Sequence, residues 1–328
     1  MNPSMWLRAL QVIPKISRAE WDRLDIVSRW LIAVRAAVLV LTFLSAAVAG
    51  LLAARDGLFD GTRWLLVAVG LVMAHATNNL LNDLIDFTRG VDEDNYFRTQ
   101  YGPQTVQQGL LTKRRLLAYA AASGAVAAAC GLALAAMGGW TVLALMAVGV
   151  FFVLFYTWPL KYIGLGEITV LLVWGPLMIG GGYFAVTGRW DWMVVLAGLP
   201  CALGATTVIF GKHIDKLEAD KAKRIRTLPV LIGERASRAC VMIMVALQYA
   251  LVIGLAAAGY FSWTMLIVLP GLYFSLPVWR MFPHPRPAAP PKEAGEFWPM
   301  WFVAAAFYHH RAYGMLFLAG LILQLVWR

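Results

Sequence analysis

The chain has little charge and few cysteines for its length. Only 14% of its 328 residues are charged, and 18 of them are Asp or Glu, whereas ordinary soluble domains are about 25% charged. Hydrophobic residues make up 60% of the chain. In water so much apolar surface would stay exposed, so the composition excludes a water-soluble globular protein and favours a bilayer as the solvent.

The three cysteines, Cys130, Cys201 and Cys240, all lie in apolar stretches. An odd number in such positions argues against a disulfide framework and predicts packing of small side chains. The first 29 residues contain five basic residues but no small-residue cleavage site after a short apolar core. We therefore predict that residues 1–29 form an amphipathic cytoplasmic lead-in and not a removable signal peptide.

Long apolar runs fill most of the remaining sequence. A spanning helix needs about 20 apolar residues, and this test predicts an all-α bundle of nine transmembrane helices. Eight spans also fit, because Pro270 and Pro277 interrupt the eighth candidate and His309, His310 and Arg311 interrupt the ninth. The candidates cover residues 30–54, 64–86, 116–137, 140–158, 165–187, 192–213, 237–260, 262–280 and 300–327.

Basic residues are distributed unevenly between the predicted connections. Of the 28 Lys and Arg residues, nearly all fall on one side of the bundle, and only Arg55, Arg63, Arg189 and Arg328 fall on the other. Cytoplasmic loops retain Lys and Arg, so the N terminus is predicted to face the cytoplasm across the cytoplasmic membrane. Topology and anionic lipid thus explain the net charge of +10, and no nucleic-acid partner is expected.

A polar stripe marks the second predicted helix, which contains His75, Asn78, Asn79, Asn82, Asp83 and Asp86. At about 3.6 residues per turn, the last four share one face. Carboxylates against lipid would be strongly unfavourable, so the stripe is a candidate functional site. For the asparagines, hydrogen bonding between helices is an alternative explanation.

Two of the predicted cytoplasmic loops are long and contain both charge signs. The first covers residues 83–115, and the second covers residues 212–236 and contains Asp215 and Asp220. The loops lie four predicted helices apart, which suggests two pseudo-repeated four-helix units around a central cavity. Acidic residues near basic ones suit a site in which Mg²⁺ bridges carboxylates and a substrate diphosphate.

Several segments resemble those of the UbiA-type intramembrane aromatic prenyltransferases, and most closely the 1,4-dihydroxy-2-naphthoate polyprenyltransferase branch of menaquinone synthesis. The resemblance covers roughly residues 30–235. Thr77 to Asp92, continued by Gly102-Pro103 and Gln108 to Thr112, resembles the first Asp-rich motif of the family. Residues 156–161, 164–167 and 174–178 resemble its fourth and fifth helices. Arg226-Thr227-Leu228 resembles the end of its second motif.

This resemblance implies one membrane prenyltransferase domain over residues 30–328, open sideways to lipid, with its active site near the cytoplasmic face. It implies Mg²⁺-dependent transfer of a polyprenyl group from a polyprenyl diphosphate to an aromatic acceptor. Mg²⁺ and basic groups would stabilise the departing diphosphate, and a ring carbon would attack the allylic cation. A polyprenyl diphosphate, an aromatic acceptor and membrane lipid are the expected partners.

The resemblance also assigns roles to individual residues. Asn82, Asp83 and Asp86 would hold one Mg²⁺ with help from Asp92, and a second ion would lie at the second motif. The expected metal ligands are Asn82, Asp83, Asp86, Asp215 and Asp220; the catalytic set is Asp83, Asp86, Asp215, Asp220 and Lys161; and the diphosphate-binding set is Asn82, Arg98, Lys161, Lys212 and Arg226. For Lys161, the alternative role is that of a topology anchor.

The second motif departs from the family pattern. The family places its two Asp residues four apart, whereas Asp215 and Asp220 are five apart and Lys216 occupies the matching position. In one continuous helix the two carboxylates would point about 140° apart. The usual Asn pair before the motif is replaced by Lys212-His213. A different acceptor therefore remains an alternative, as does a secondary transporter that uses buried acids.

The sequence gives no reason to place Glu167, His309 or His310 in the site. Glu167 opens the fifth predicted helix, where a carboxylate is favoured by the helix dipole. His309 and His310 fit no metal-binding spacing. We therefore include none of the three in the predicted site.

Overall fold

The computed structural model describes residues 2–91, 102–292 and 298–327, and within these ranges every regular element is helical. The first half contains α1 (Pro3–Gln11), α2 (Arg18–Asp22), α3 (Ile26–Ala33), α4 (Ala36–Arg55), α5 (Gly61–Thr88), α6 (Lys113–Gly138) and α7 (Trp140–Phe155). The second half contains α8 (Gly166–Thr187), α9 (Trp192–Asp215), α10 (Leu217–Ala222), α11 (Leu228–Ile232), α12 (Glu234–Ala257), α13 (Gly271–Met281) and α14 (Phe302–Val326).

Six of these helices are long and apolar enough to cross a membrane, namely α4, α5, α6, α8, α9 and α12. An all-helical architecture is thus confirmed, whereas the predicted total of nine spans is not. The eighth candidate differs most, because it consists of a 3₁₀ turn over Trp263–Val268 followed by α13. Pro270 stands between the two pieces, and a proline has no N–H with which to continue a helix.

Two breaks inside the predicted spans affect the site. The first predicted span is divided at Arg35, whose backbone is left-handed with a φ of 56° between α3 and α4. In α8, the stretch Val173–Gly180 around Pro176 has π-helical geometry. Both breaks lie inside the helical bundle. The first one directs the side chain of Arg35 toward Asp83 of α5.

The lead-in packs against the half of the bundle that contains the acidic stripe. Trp21 of α2 is fully buried and belongs to a hydrophobic cluster with Leu80 of α5 and with Leu110 and Leu111 ahead of α6. Asp25 caps α3 and also accepts hydrogen bonds from the N terminus of α1. Helix α3 runs across the boundary expected after residue 29, so the lead-in and the bundle are continuous there.

The start of α14 lies against the last turn of α9. A Cβ atom added to Gly211 would lie 2.9 Å from the backbone nitrogen of Val303 and 3.0 Å from the carbonyl carbon of Phe302. Backbone atoms cannot rotate away from such a contact. Glycine at position 211 therefore permits the close approach of the two helices.

We expect Gly211→Ala to destabilise the protein by about 1–3 kcal/mol, the usual range for overpacking. The matched control is Gly254→Ala in α12, because nothing lies within 4 Å of the added Cβ there. Thermal unfolding in detergent measures both variants. Equal melting temperatures for the two variants would contradict the close helix contact.

Candidate active site

The polar stripe of α5 faces protein and is buried along its length. The carboxamide of Asn79 donates to the backbone oxygen of Val34 at 2.9 Å, and that of Asn82 donates to the hydroxyl of Thr157 at 3.0 Å. The amide groups thus join α5 to its neighbouring segments. The carboxylates of Asp83 and Asp86, which lie farther along the helix, form ion pairs with basic side chains instead.

Arg35 is the cation that faces Asp83. Its Nη2 atom lies 2.7 Å from Oδ1 of Asp83 and 2.9 Å from the backbone oxygen of Asn79. The left-handed backbone at Arg35 costs a non-glycine residue roughly 1–2 kcal/mol. A buried carboxylate without a cation would cost more, so the ion pair offsets the strained backbone. Arg35 is not among the sequence-predicted site residues.

Lys161 is the cation that faces Asp86. It lies on the 3₁₀ turn Leu160–Ile163 after α7, is 4% exposed, and places Nζ 2.9 Å from Oδ1 of Asp86. Burial lowers the pKa of Lys161, and the carboxylates of Asp86 and Asp220 act in the opposite direction. The direct partner of Lys161 is thus the second acid of α5.

Asp215 and Asp220 point to different places. Asp215 accepts hydrogen bonds from the backbone nitrogens of Phe302 and Val303 at 3.0 and 2.9 Å, which makes it the cap of α14. Asp220 lies on α10 and pairs through Oδ1 with Nζ of Lys216 at 2.8 Å. Its Oδ2 atom is buried and has no hydrogen-bond partner among the described residues.

The ends of α5 and α10 approach each other in space. Lys223, just after α10, donates from Nζ to the backbone oxygen of Gly90, just after α5, at 2.9 Å. Two chain segments that are far apart in sequence are therefore in contact next to the two acidic regions.

A buried pair that the sequence analysis missed supports this arrangement. Oε1 of Glu167 lies 2.6 Å from Nδ1 of His213, and each side chain is 1% exposed. The other carboxylate oxygen of Glu167 accepts from the backbone nitrogen of Leu228 at 3.3 Å. Glu167 thus ties together α8, α9 and α11. Its position at the start of a helix hides this role in the sequence, because its partner lies 46 residues away.

The other predicted basic residues that the structure describes are less deeply buried than Lys161. Lys212 is partly buried in the last turn of α9, and Arg226 is exposed ahead of α11. Arg98 and Asp92 lie outside the described residues. Their predicted contacts with diphosphate or metal therefore stay predictions.

The donor set fits Mg²⁺ by its chemistry, since carboxylate and carboxamide oxygens are the ligands that this ion prefers. The free Oδ2 atom of Asp220 is an acceptor that a cation would satisfy. Among the described residues, however, no group of three or more His, Cys, Asp or Glu side chains is close enough together to hold a metal. In this conformation Arg35 and Lys161 neutralise the carboxylates of Asp83 and Asp86.

Buried acids and a buried lysine at the converging ends of a helical bundle fit a membrane enzyme that handles a charged substrate. The sequence profile of the UbiA prenyltransferase family matches residues 43–301, and the chain belongs to this family. It is therefore an integral membrane transferase of prenyl groups, as the motifs predict. The secondary-transporter alternative is thereby set aside.

Two curated relatives are similar over most of their length. The digeranylgeranylglyceryl phosphate synthase of Natronomonas pharaonis is 31% identical over 254 residues, which are 75% of this chain and 83% of the relative. The 1,4-dihydroxy-2-naphthoate octaprenyltransferase of Escherichia coli is 27% identical over 254 residues, which are 74% and 81% of the two chains.

A solved structure shows the same fold. A UbiA homolog from Archaeoglobus fulgidus bound to GPP and Mg²⁺ superposes with a TM-score of 0.61 at 16% identity, over 90% of this chain and 99% of that one. At this identity the likeness concerns the fold alone. It confirms that the helices described above form a UbiA-type bundle.

The contacts of the two acids predict different consequences of their removal. Asp215→Ala removes the cap of α14 and should lower stability by about 1–3 kcal/mol. Asp220→Ala removes the ion pair with Lys216 and should abolish prenyl transfer by the folded protein. Thermal unfolding and turnover by the folded fraction measure the two effects.

The reverse pattern would contradict this division. If folded Asp215→Ala protein were inactive while Asp220→Ala kept full turnover, the acid of the second motif would be Asp215. Glu218→Ala is the matched control, because Glu218 is exposed and pairs only with Lys221 on the surface of α10 among the described residues.

Proposed function

We propose that the protein transfers a polyprenyl group from a polyprenyl diphosphate to an aromatic acceptor, and that the reaction depends on Mg²⁺. The first candidate acceptor is 1,4-dihydroxy-2-naphthoate or a related quinone precursor. The observations that carry the proposal are the buried ion pair of Lys161 with Asp86 and the contact between the ends of α5 and α10, the helix that contains Asp220. A polyanion bound through metal ions needs carboxylates for the metal and a cation for its own oxygens.

In this proposal Asn82, Asp83, Asp86 and Asp220 hold the metal. Bound Mg²⁺ would supply positive charge that stabilises the departing diphosphate. Asp215, which the resemblance also assigns to the metal, is given a capping role here because both of its oxygens accept backbone N–H groups. Asp220 then provides the carboxylate of the second motif.

Lys161 would bind the diphosphate directly. An ammonium group has three donors, and Asp86 holds the side chain in position while leaving donors for phosphate oxygens. The bond between the prenyl carbon and the diphosphate oxygen breaks with its electron pair on oxygen, where Lys161 stabilises the charge. A carbon of the electron-rich ring then forms the new bond to the prenyl carbon and releases its proton to the diphosphate or to water, which restores the aromatic ring.

The activities of the two relatives indicate two candidate acceptors. The Escherichia coli relative supports a dihydroxynaphthoate acceptor. The Natronomonas pharaonis relative, at 31% identity, supports a glyceryl phosphate lipid as a second candidate. The solved homolog bound to GPP and Mg²⁺ supports the prenyl diphosphate and the metal, which both candidates share.

We also propose nine crossings, with α7, α13 together with its preceding 3₁₀ turn, and α14 added to the six long helices. The uneven distribution of Lys and Arg supports a cytoplasmic N terminus and an active site near the cytoplasmic face. The single prenyltransferase domain over residues 30–328 and its pseudo-repeated halves belong to the same proposal.

We expect purified protein to prenylate one acceptor of a panel when it is given labelled prenyl diphosphates. The panel contains 1,4-dihydroxy-2-naphthoate, other aromatic acids and a geranylgeranylglyceryl phosphate. Each reaction is run with Mg²⁺ and with EDTA, and product is expected only with the metal. Product with the glyceryl phosphate alone would replace the aromatic acceptor by the second candidate, and absence of product with every acceptor would reject both.

Lys161→Met should lower kcat/KM for the prenyl diphosphate by about 30-fold or more, the effect expected when one partner of a buried charge pair is removed. Lys221→Met is the matched control, because Lys221 lies in the second acidic region but is exposed. Steady-state kinetics on folded protein measure both. A Lys161→Met enzyme as efficient as the control would reduce Lys161 to a topology anchor.

A further inference from the structure

The segment between the first acidic motif and α6 has backbone hydrogen bonds of its own in its described part, Gly102–Thr112. The backbone nitrogen of Gln108 donates to the oxygen of Gln104 at 2.9 Å, and that of Leu111 donates to the oxygen of Thr105 at 2.7 Å. Leu110 and Leu111 belong to the same hydrophobic cluster as residues of the lead-in. These contacts position the segment beside the end of α5.

Two polar side chains of this segment are buried and have no hydrogen-bond partner among the described residues. Gln104 is 2% exposed and Thr105 is 1% exposed. Within residues 2–91, 102–292 and 298–327, neither the oxygen nor the nitrogen of the Gln104 carboxamide has a partner, and neither does the hydroxyl of Thr105. Leaving such groups unpaired is unfavourable, so buried polar atoms of this kind are expected to have a ligand in some state of the protein.

These two residues line a crevice next to the proposed metal site. Asp83, Phe87, Val106 and Gln107 complete its lining. The crevice is narrow in this conformation. Gln107 is exposed and stands at the wall, where its movement would widen the crevice.

The chemistry of the crevice indicates what would enter it. On one side lies the carboxylate of Asp83, which is paired with Arg35. On the other side lie uncharged groups that donate and accept hydrogen bonds. Phosphate oxygens accept from a carboxamide or a hydroxyl, and water bound to Mg²⁺ donates to their oxygens. A metal-bound phosphate group at Asp83 would therefore satisfy both side chains.

We propose that Gln104 and Thr105 form an uncharged arm of the diphosphate site and hydrogen-bond to the magnesium diphosphate beside Asp83. The inference rests on the proposed function and adds two residues that are not among the predicted site residues. It also explains why two buried polar side chains have no hydrogen-bond partner among the described residues. Binding requires the crevice to widen, and the exposed side chain of Gln107 permits this.

The test uses two near-isosteric variants, Gln104→Met and Thr105→Val, in the full-length protein. Both remove polar atoms that have no partner, so the melting temperature without ligand should stay unchanged or rise. The increase in melting temperature caused by inorganic pyrophosphate with Mg²⁺ should require at least about 10-fold more pyrophosphate in each variant, because each loses a hydrogen bond to a charged group. Gln108→Met is the matched control, since Gln108 is an exposed neighbour that is not part of the crevice lining.

Each outcome is decisive. If the wild-type protein does not respond to pyrophosphate and Mg²⁺ and makes no product, the proposed function itself fails. If the wild-type protein responds and both variants match Gln108→Met, only the inference is overturned. A lower melting temperature of the variants without ligand, or their failure to fold, would show that Gln104 and Thr105 are structural and would overturn it as well.

Discussion

The rest of the site depends on one constraint, which is that a carboxylate buried in an apolar bundle must face a cation. Asp83 meets this requirement through Arg35, and Asp86 meets it through Lys161. Removal of one member of such a pair leaves an uncompensated buried charge, whose cost commonly reaches about 3–5 kcal/mol. Each acid of α5 therefore constrains where a second chain segment runs. The left-handed turn at Arg35 and the 3₁₀ turn at Lys161 are the backbone features that meet these constraints.

The same pairing brings the two halves of the molecule together. Lys161, which follows α7, pairs with Asp86 of α5, and Lys223 just after α10 donates to the backbone oxygen of Gly90 just after α5. Glu167 and His213 fix the start of α8 against the end of α9, directly behind the second acidic segment. The last helix is anchored to the end of α9 by Asp215. The candidate site thus depends on contacts between helix ends, which is where a bundle brings together residues that are distant in sequence.

Periodicity and charge were sufficient to predict an all-helical chain and the polar stripe of α5, because both properties are local. The predicted total of nine spans is not confirmed, since Arg35 and Pro270 interrupt two of the candidates. Asp215 and Asp220 were assigned to one metal site, whereas the chain breaks between α9 and α10 and gives the two acids different contacts. Partners were harder to predict. Arg35 depends on a backbone break that no proline or glycine marks, and the partner of Glu167 is distant in the sequence. Nothing in the sequence distinguishes Gln104 from other polar residues. Only its burial without a hydrogen bond to any described residue makes it a candidate.

The balance of charge among the described residues gives a physical reason for the proposed metal dependence. Asp83, Asp86 and Asp220 each have a basic partner in Arg35, Lys161 and Lys216. These pairs balance their own charges, so a diphosphate that entered alone would bring several negative charges into a poorly solvated region without the cations that compensate them. Uncompensated charge is costly there because the effective dielectric is low. A diphosphate that arrives with divalent cations would avoid that cost, because the metal would add positive charge that the carboxylates share while Lys161 donates to the phosphate oxygens. The neutral donors of Gln104 and Thr105 suit this arrangement, since they add hydrogen bonds without disturbing the charge balance.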